Sequence, residues 1–255
     1  MRRHFVATEE LAAALASGAT RVVDLTQPLS ESTPVLQLPP PFANTPGLSR
    51  ETISEYDDAG PAWAWKTLTV GEHVGTHFDA PIHWVTGRDL EDVASAPPEK
   101  LVAPCAVIDK SAEASSDPNY LLTVEDIQAW ENEHGALPDG GWLFLRTGWD
   151  ARAHDQAAFL NGGETPGPDV DAARYLAERA PIVGFGCETV GTDAGLAHSF
   201  DPAFPVHHLL LGAGKYGLTQ LANLAELPPQ GAIAVIAPLK LVGGTGSPTR
   251  VFALA

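Results

Sequence analysis

The segment 71-GEHVGTHFDAPIHW-84 carries His73, His77, Asp79 and His83 within eleven residues. Counted from His73 they fall at offsets 0, 4, 6 and 10, so an extended chain would send all four to one face. A fully extended strand would nevertheless hold His73 and His77 roughly 13 Å apart. That is too far for one ion binding each nitrogen at about 2.1 Å. The chain must therefore bend between them. Gly75 stands where a bend costs least, and Pro81 interrupts the segment again before His83. A helix would also bring residues four apart together, but Gly75, Thr76 and Pro81 argue against one. The segment reads as a strand entering a sharply shaped loop.

Imidazole nitrogens with one carboxylate suit Zn2+, and Mn2+ accepts the same set. Three protein ligands leave coordination positions open for water and substrate, as catalytic sites require. A further histidine outside the ligand set is then a natural general acid or base. Elsewhere, His4, His134 and His154 lie in polar contexts and read as solvated, while His198 in a loop carries no signal. The pair His207-His208 follows Pro205 at an apparent helix start, and one of the two is expected at the site.

Outward from the cluster, Trp63 to Val70 alternates like a strand feeding it. Thr26 to Gly60, with the triplet Pro39-Pro40-Pro41, reads as a long loop of the kind that often carries function. Helices are predicted at Thr8 to Ser17 with Thr8 as cap, at Thr123 to His134 with a capping box, at Asp169 to Arg179 and near Val206 to Leu211. Strands are predicted at Arg21 to Leu25, Val102 to Asp109, Gly141 to Arg146, Pro181 to Gly186, Ala232 to Leu239 and Arg250 to Leu254. The elements mix without a regular βαβ beat, and no phosphate-binding glycine motif follows a strand. One α+β or mixed α/β domain over residues 1–255 is expected.

Composition agrees. The chain has 255 residues, 44% hydrophobic and 18% charged, enough to bury a sizeable core. A net charge of −17 argues against nucleic acid and anionic membranes as partners. The start MRRHFVATEE lacks the apolar stretch of a secretory signal, so a cytoplasmic location is expected. Cys105 and Cys187 sit in apolar runs and read as buried, with a nucleophilic Cys187 beside Glu188 as a lesser alternative.

The pattern His73-Val-Gly-Thr-His77-Phe-Asp79-Ala-Pro-Ile-His83 resembles the signature of the cyclase-like metal hydrolases, a family that includes isatin hydrolases and bacterial kynurenine formamidases. The likeness extends to Asp24-Leu25-Thr26-Gln27-Pro28-Leu29, to Arg146-Thr147-Gly148-Trp149, and to Pro238-Leu239-Lys240 with Gly246-Ser247-Pro248. It implies a swivelling β/β/α fold with a mixed sheet, a homodimer or higher oligomer, and a divalent metal held by His73, His77 and Asp79, with His83 as acid/base. The formamidases use a later histidine and, twelve residues on, a glutamate for a second zinc. The same spacing from His208 lands here on Gln220, a neutral amide, which argues for a single ion, with Mn2+ favoured and Zn2+ the alternative. Gln220 then stands as a candidate ligand and His208 as a substrate contact.

The stretches LQLPPPF, ending at Phe42, and GPAWAW, holding Trp63 and Trp65, resemble the isatin-hydrolase branch. These three rings would offer flat apolar walls to a planar bicyclic ligand, the alternative being ordinary packing. The resemblance thus implies a hydrolase opening a small cyclic amide, isatin to isatinate. The alternatives are a kynurenine formamidase and a non-catalytic binder of metal or an aromatic metabolite.

Overall fold

The computed structural model describes residues 2–255, with side chains from Ala7 onward, so the His4 side chain lies outside the described residues. In chain order its strands are β1 (Val22–Asp24), β2 (Ser49–Glu55), β3 (Ala64–Thr69), β4 (His77–Asp79), β5 (Val102–Asp109), β6 (Leu121–Leu122), β7 (Trp142–Arg146), β8 (Gly167–Pro168), β9 (Gly184–Cys187), β10 (Tyr216–Thr219), β11 (Ala232–Pro238) and β12 (Gly246–Leu254). Eight of them form one mixed sheet in the order β1-β12-β11-β5-β7-β9-β10-β4. Because β4 also pairs with β12, seven strands close into a barrel-like ring, with β1 outside it.

β5, β7, β9 and β10 run parallel, and the other pairings of this sheet are antiparallel. The parallel strands are nearly continuous apolar runs because both of their faces are covered. Alternation sends Phe78, Trp142, Phe144, Tyr216, Leu218 and Val251 into one core, enclosed by the ring. Leu143, Leu145 and Phe185 face a second core, closed by α2 (Val124–His134) and α3 (Val170–Glu178) through Ile127, Trp130 and Leu176. Gly184 and Gly186 make room for the large rings: a Cβ would stand 2.4 Å from Trp142 and 2.8 Å from Phe144.

The capping box at Thr123 and Asp126 forms as expected, and Asp169 caps α3. The amino-terminal helix, α1, spans Arg2–Ser17, so Thr8 lies within it instead of capping it. No proline or glycine stands between Arg2 and Thr8 to stop the helix sooner. The stretch expected as a loop from Thr26 to Gly60 contains β2, which pairs with β3 as a separate ribbon. Its sequence, SRETISE, shows no apolar alternation because only Ser54 in it is buried.

Phe42, Trp63 and Trp65 were expected as walls of the site, but within this chain they are 63%, 47% and 56% exposed. Trp65 lies on β3 and Trp63 just before it, in a two-stranded ribbon whose β3 is exposed along its whole length. Both cysteines are buried, and desolvation pushes each thiol up to about 12. Cys187 is therefore no nucleophile at neutral pH. Among the described residues no helix is long and apolar enough to cross a membrane.

Candidate active site

β4 positions the cluster. With Phe78 turned into the ring core, strand alternation sends His77 and Asp79 to the opposite face. The bend expected at Gly75 is present, with φ at +66°, and Pro81 opens a 3-10 turn, Pro81–His83, that folds His83 back. On one side of β4, Gly217 lies opposite Asp79; on the other, Gly246 does. A side chain at either would intrude, since a Cβ on Gly217 would be 2.9 Å from Asp79 Oδ2 and one on Gly246 2.4 Å from His73 Cε1.

His73 Nδ1 and His77 Nε2 converge on the same oxygen, Asp79 Oδ1, at 2.8 and 3.4 Å. The His83 ring stacks on His73 with centroids 3.9 Å apart. His73, Asp79 and His83 each offer an atom within 4.8 Å of the others. The His77 Nδ1–H donates to the Gly75 carbonyl at 2.7 Å, so its lone-pair nitrogen is Nε2, facing Asp79. Thr219 Oγ1 lies 3.2 Å from that nitrogen. Two imidazole nitrogens and a carboxylate oxygen gathered at one point form a donor set that fits a divalent ion.

Burial raises the Asp79 carboxyl, but the charge of His77 and the bond and charge of His73 outweigh it and hold the acid far below its ordinary range. Burial lowers His77, against the pull of Asp79. It also takes His83 down to about 3, so that ring is neutral at physiological pH.

The structure corrects one expectation about the later histidines. His207, not His208, comes to the cluster, its ring 5.6 Å from His83 and 4.8 Å from Trp84. The turn Val206–Leu211 is π-helical, wider than an α-helix, which shifts the residues that face inward. His208 instead borders a shallow groove with Thr86 and Glu178. Asp193 holds His207 by Nδ1 at 2.5 Å and also accepts the N–H groups of Val206 and His207. Burial lowers His207, yet the bond and charge of Asp193 raise it overall. Asp193 had no signal in the sequence, because its role depends on contacts fourteen residues away.

Gln220 is 1% exposed, with φ at +53°. Its carbonyl accepts the Thr76 hydroxyl at 2.6 Å, and its side-chain Oε1 is buried without a hydrogen-bond partner. No hydrogen bond joins that amide to the cluster, although the preceding residue, Thr219, touches His77. A third layer was also missed: Thr245 Oγ1 lies 2.9 Å from His73 Nε2 and donates to Glu72 Oε2 at 2.6 Å.

The family model described as "Putative cyclase" matches residues 23–194. The isatin hydrolase of Roseibium aggregatum is 51% identical over 251 residues, covering 96% of this chain and 95% of its own. The kynurenine formamidase of Salinibacter ruber is 30% identical over 190 residues, 72% of this chain and 76% of its own. The crystal structure of an isatin hydrolase bound to the product analogue thioisatinate matches with a TM-score of 0.95 at 49% identity, covering 98% of both chains. The histidine cluster on β4 is thus set in a fold and a sequence held in common with these enzymes, and the chain belongs to the cyclase family.

Proposed function

We propose that this chain is a metal-dependent hydrolase that opens isatin to isatinate. The observation that carries the proposal is the convergence of His73, His77, Asp79 and His83, in a chain 51% identical to an isatin hydrolase. A divalent ion held by His73, His77 and Asp79, Mn2+ in preference to Zn2+, would supply a Lewis acid for the lactam carbonyl and a source of nucleophilic water. Gln220 is neutral and, with its buried Oε1 unpartnered, remains the candidate fourth ligand to that one ion.

His83, neutral and stacked on His73, is the base. It takes a proton as the water oxygen bonds to the lactam carbon, then delivers it to the ring nitrogen as the C–N bond breaks. The nitrogen leaves as an amine, and the new carboxylic acid loses its remaining proton to solvent. Asp193, bonded to His207 Nδ1, favours the protonated ring and leaves Nε2 as the atom that would orient a substrate oxygen.

The exposed ribbon supports a homodimer. Trp63, Trp65, Phe42 and Leu68 are apolar and uncovered in one chain, and a second copy would bury them while walling the substrate. The kynurenine formamidase reading is weaker because a neutral Gln220 is a poor anchor for a second dication. Loss of isatin absorbance should follow addition of Mn2+ or Zn2+ to metal-stripped enzyme, with N-formylkynurenine turned over far more slowly. Full turnover by a metal-loaded His83→Ala variant would sink the assignment of the base.

A further inference from the structure

The chain Glu72–Thr245–His73–Asp79 is continuous. Glu72 Oε2 accepts from Thr245 twice, from N at 3.0 Å and from Oγ1 at 2.6 Å. Thr245 Oγ1 then lies 2.9 Å from His73 Nε2, and His73 Nδ1 lies 2.8 Å from Asp79 Oδ1. A carboxylate accepts only, and a threonine has one hydroxyl hydrogen. That hydrogen is committed to Glu72, so the Thr245 oxygen meets His73 with a lone pair, and His73 Nε2 must carry the N–H.

The loop holding Thr245 is itself fixed. Ala80 N–H donates to the Thr245 carbonyl, Val93 N–H to the Gly244 carbonyl and Gly243 N–H to Asp92, at 3.0, 3.0 and 2.6 Å. Gly246 packs against the ring edge, where an added Cβ would be 2.8 Å from Nδ1. The His73 ring therefore has no free rotation, and its Nε2–H is fixed; Asp79 likewise only accepts, so Nδ1 gives up its own hydrogen only to a cation standing between it and Oδ1.

We infer that Glu72 and Thr245 are positioning residues that lock His73 as the Nε2–H tautomer and commit it to bind the metal through Nδ1. His77 is committed the opposite way, because its Nδ1–H goes to the Gly75 carbonyl and Nε2 faces Asp79. The two histidines thus present different ring nitrogens to one ion. Hydrogen bonds from outside the ligand set orient a ligating imidazole and raise its basicity, and losing one typically costs about 10- to 100-fold in metal affinity. This inference rests on the metal reading of the site given above.

The test uses Zn2+ as a diamagnetic probe. In a long-range 1H–15N spectrum of the Zn2+-loaded protein, His73 should ligate through Nδ1 with a slowly exchanging Nε2–H, and His77 through Nε2. Competition against a fluorescent zinc chelator should show Thr245→Val binding Zn2+ about 10- to 100-fold more weakly. Thr245→Ser, which keeps the hydroxyl, should restore binding. Ligation of His73 through Nε2, or a Thr245→Ser variant as weak as Thr245→Val, would overturn the inference. The wild-type spectrum decides even if Thr245→Val fails to fold. No Zn2+ binding by the folded wild type would overturn the metal reading itself, and the inference with it.

Discussion

Gly246→Ala adds one methyl group where the site has no room. The new Cβ would stand 2.4 Å from His73 Cε1, 2.8 Å from His73 Nδ1 and 2.8 Å from the Phe78 carbonyl oxygen. Carbon atoms in favourable contact are about 3.5–4.0 Å apart, so the ring or the strand must give by more than about 1 Å. The Phe78 carbonyl belongs to β4, which is paired on both sides. His73 is tied at both nitrogens. Overpacking of this kind costs about 1–3 kcal/mol, which for a chain of this size lowers Tm by roughly 2–12 °C.

The effect on the ion should be larger. Ligand distances tolerate only about 0.2 Å, so the same shift takes His73 Nδ1 out of range. We expect at least about a 10-fold loss in Mn2+ affinity, measured by calorimetry on metal-stripped protein, with isatin turnover recovered only at high Mn2+. Gly191→Ala is the control, because a Cβ there meets nothing within 4 Å, and it should change stability by less than about 0.5 kcal/mol. A folded Gly246→Ala protein with wild-type Mn2+ affinity would refute the argument that His73 is immovable.

Three further outcomes are expected. His207→Ala should reduce kcat for isatin by about 100-fold while His208→Ala leaves it near wild type; steady-state kinetics on both variants decides, and equal losses would refute the correction. Glu188 is buried, and desolvation followed by the charge of Asp150 pushes its carboxyl up to about 7 from an ordinary 4.5, against N–H bonds from Thr147 and Trp149. The folded state then keeps a proton that the unfolded chain has lost, so stability should fall as pH rises from about 4.5 to 7, by up to about 3 kcal/mol; urea unfolding across that range should show a flatter profile in Glu188→Gln. Finally, Trp63→Ser with Trp65→Ser should weaken self-association by at least about 10-fold, read as a monomer shift in light scattering, and an unchanged dimer would exclude the ribbon from the interface.

The mixed α/β class was legible in the sequence, and so was the segment whose four candidate residues the structure brings together. His73, His77, Asp79 and His83 were legible because ligand chemistry, Gly75 and Pro81 all lie in one local segment. The buried strands β5, β7 and β11 were legible as apolar runs, and α2 through its capping box. β2 was not, since both its faces are mostly exposed and polar residues fill it. β10 was hidden by its four-residue length and by Gly217, which is needed for space beside Asp79 and contributes no hydrophobic signal. His207 was displaced from expectation by one residue because hydrogen bonding in a π-turn has no spacing signature. Thr245 lies 172 residues from His73, and only ring closure brings them together.

That closure has a consequence for solubility. β4 is three residues long, yet it covers a flank of β10 and a flank of β12 at once. Removed, it would leave two unpaired rows of backbone donors and acceptors, the kind of exposed edge that recruits other chains. His77 and Asp79, two of the proposed ligands, thus lie on the strand that also stops the sheet. A lesion that loosens β4 should reveal itself as aggregation in step with lost activity, since the strand that carries His77 and Asp79 also keeps the sheet from growing.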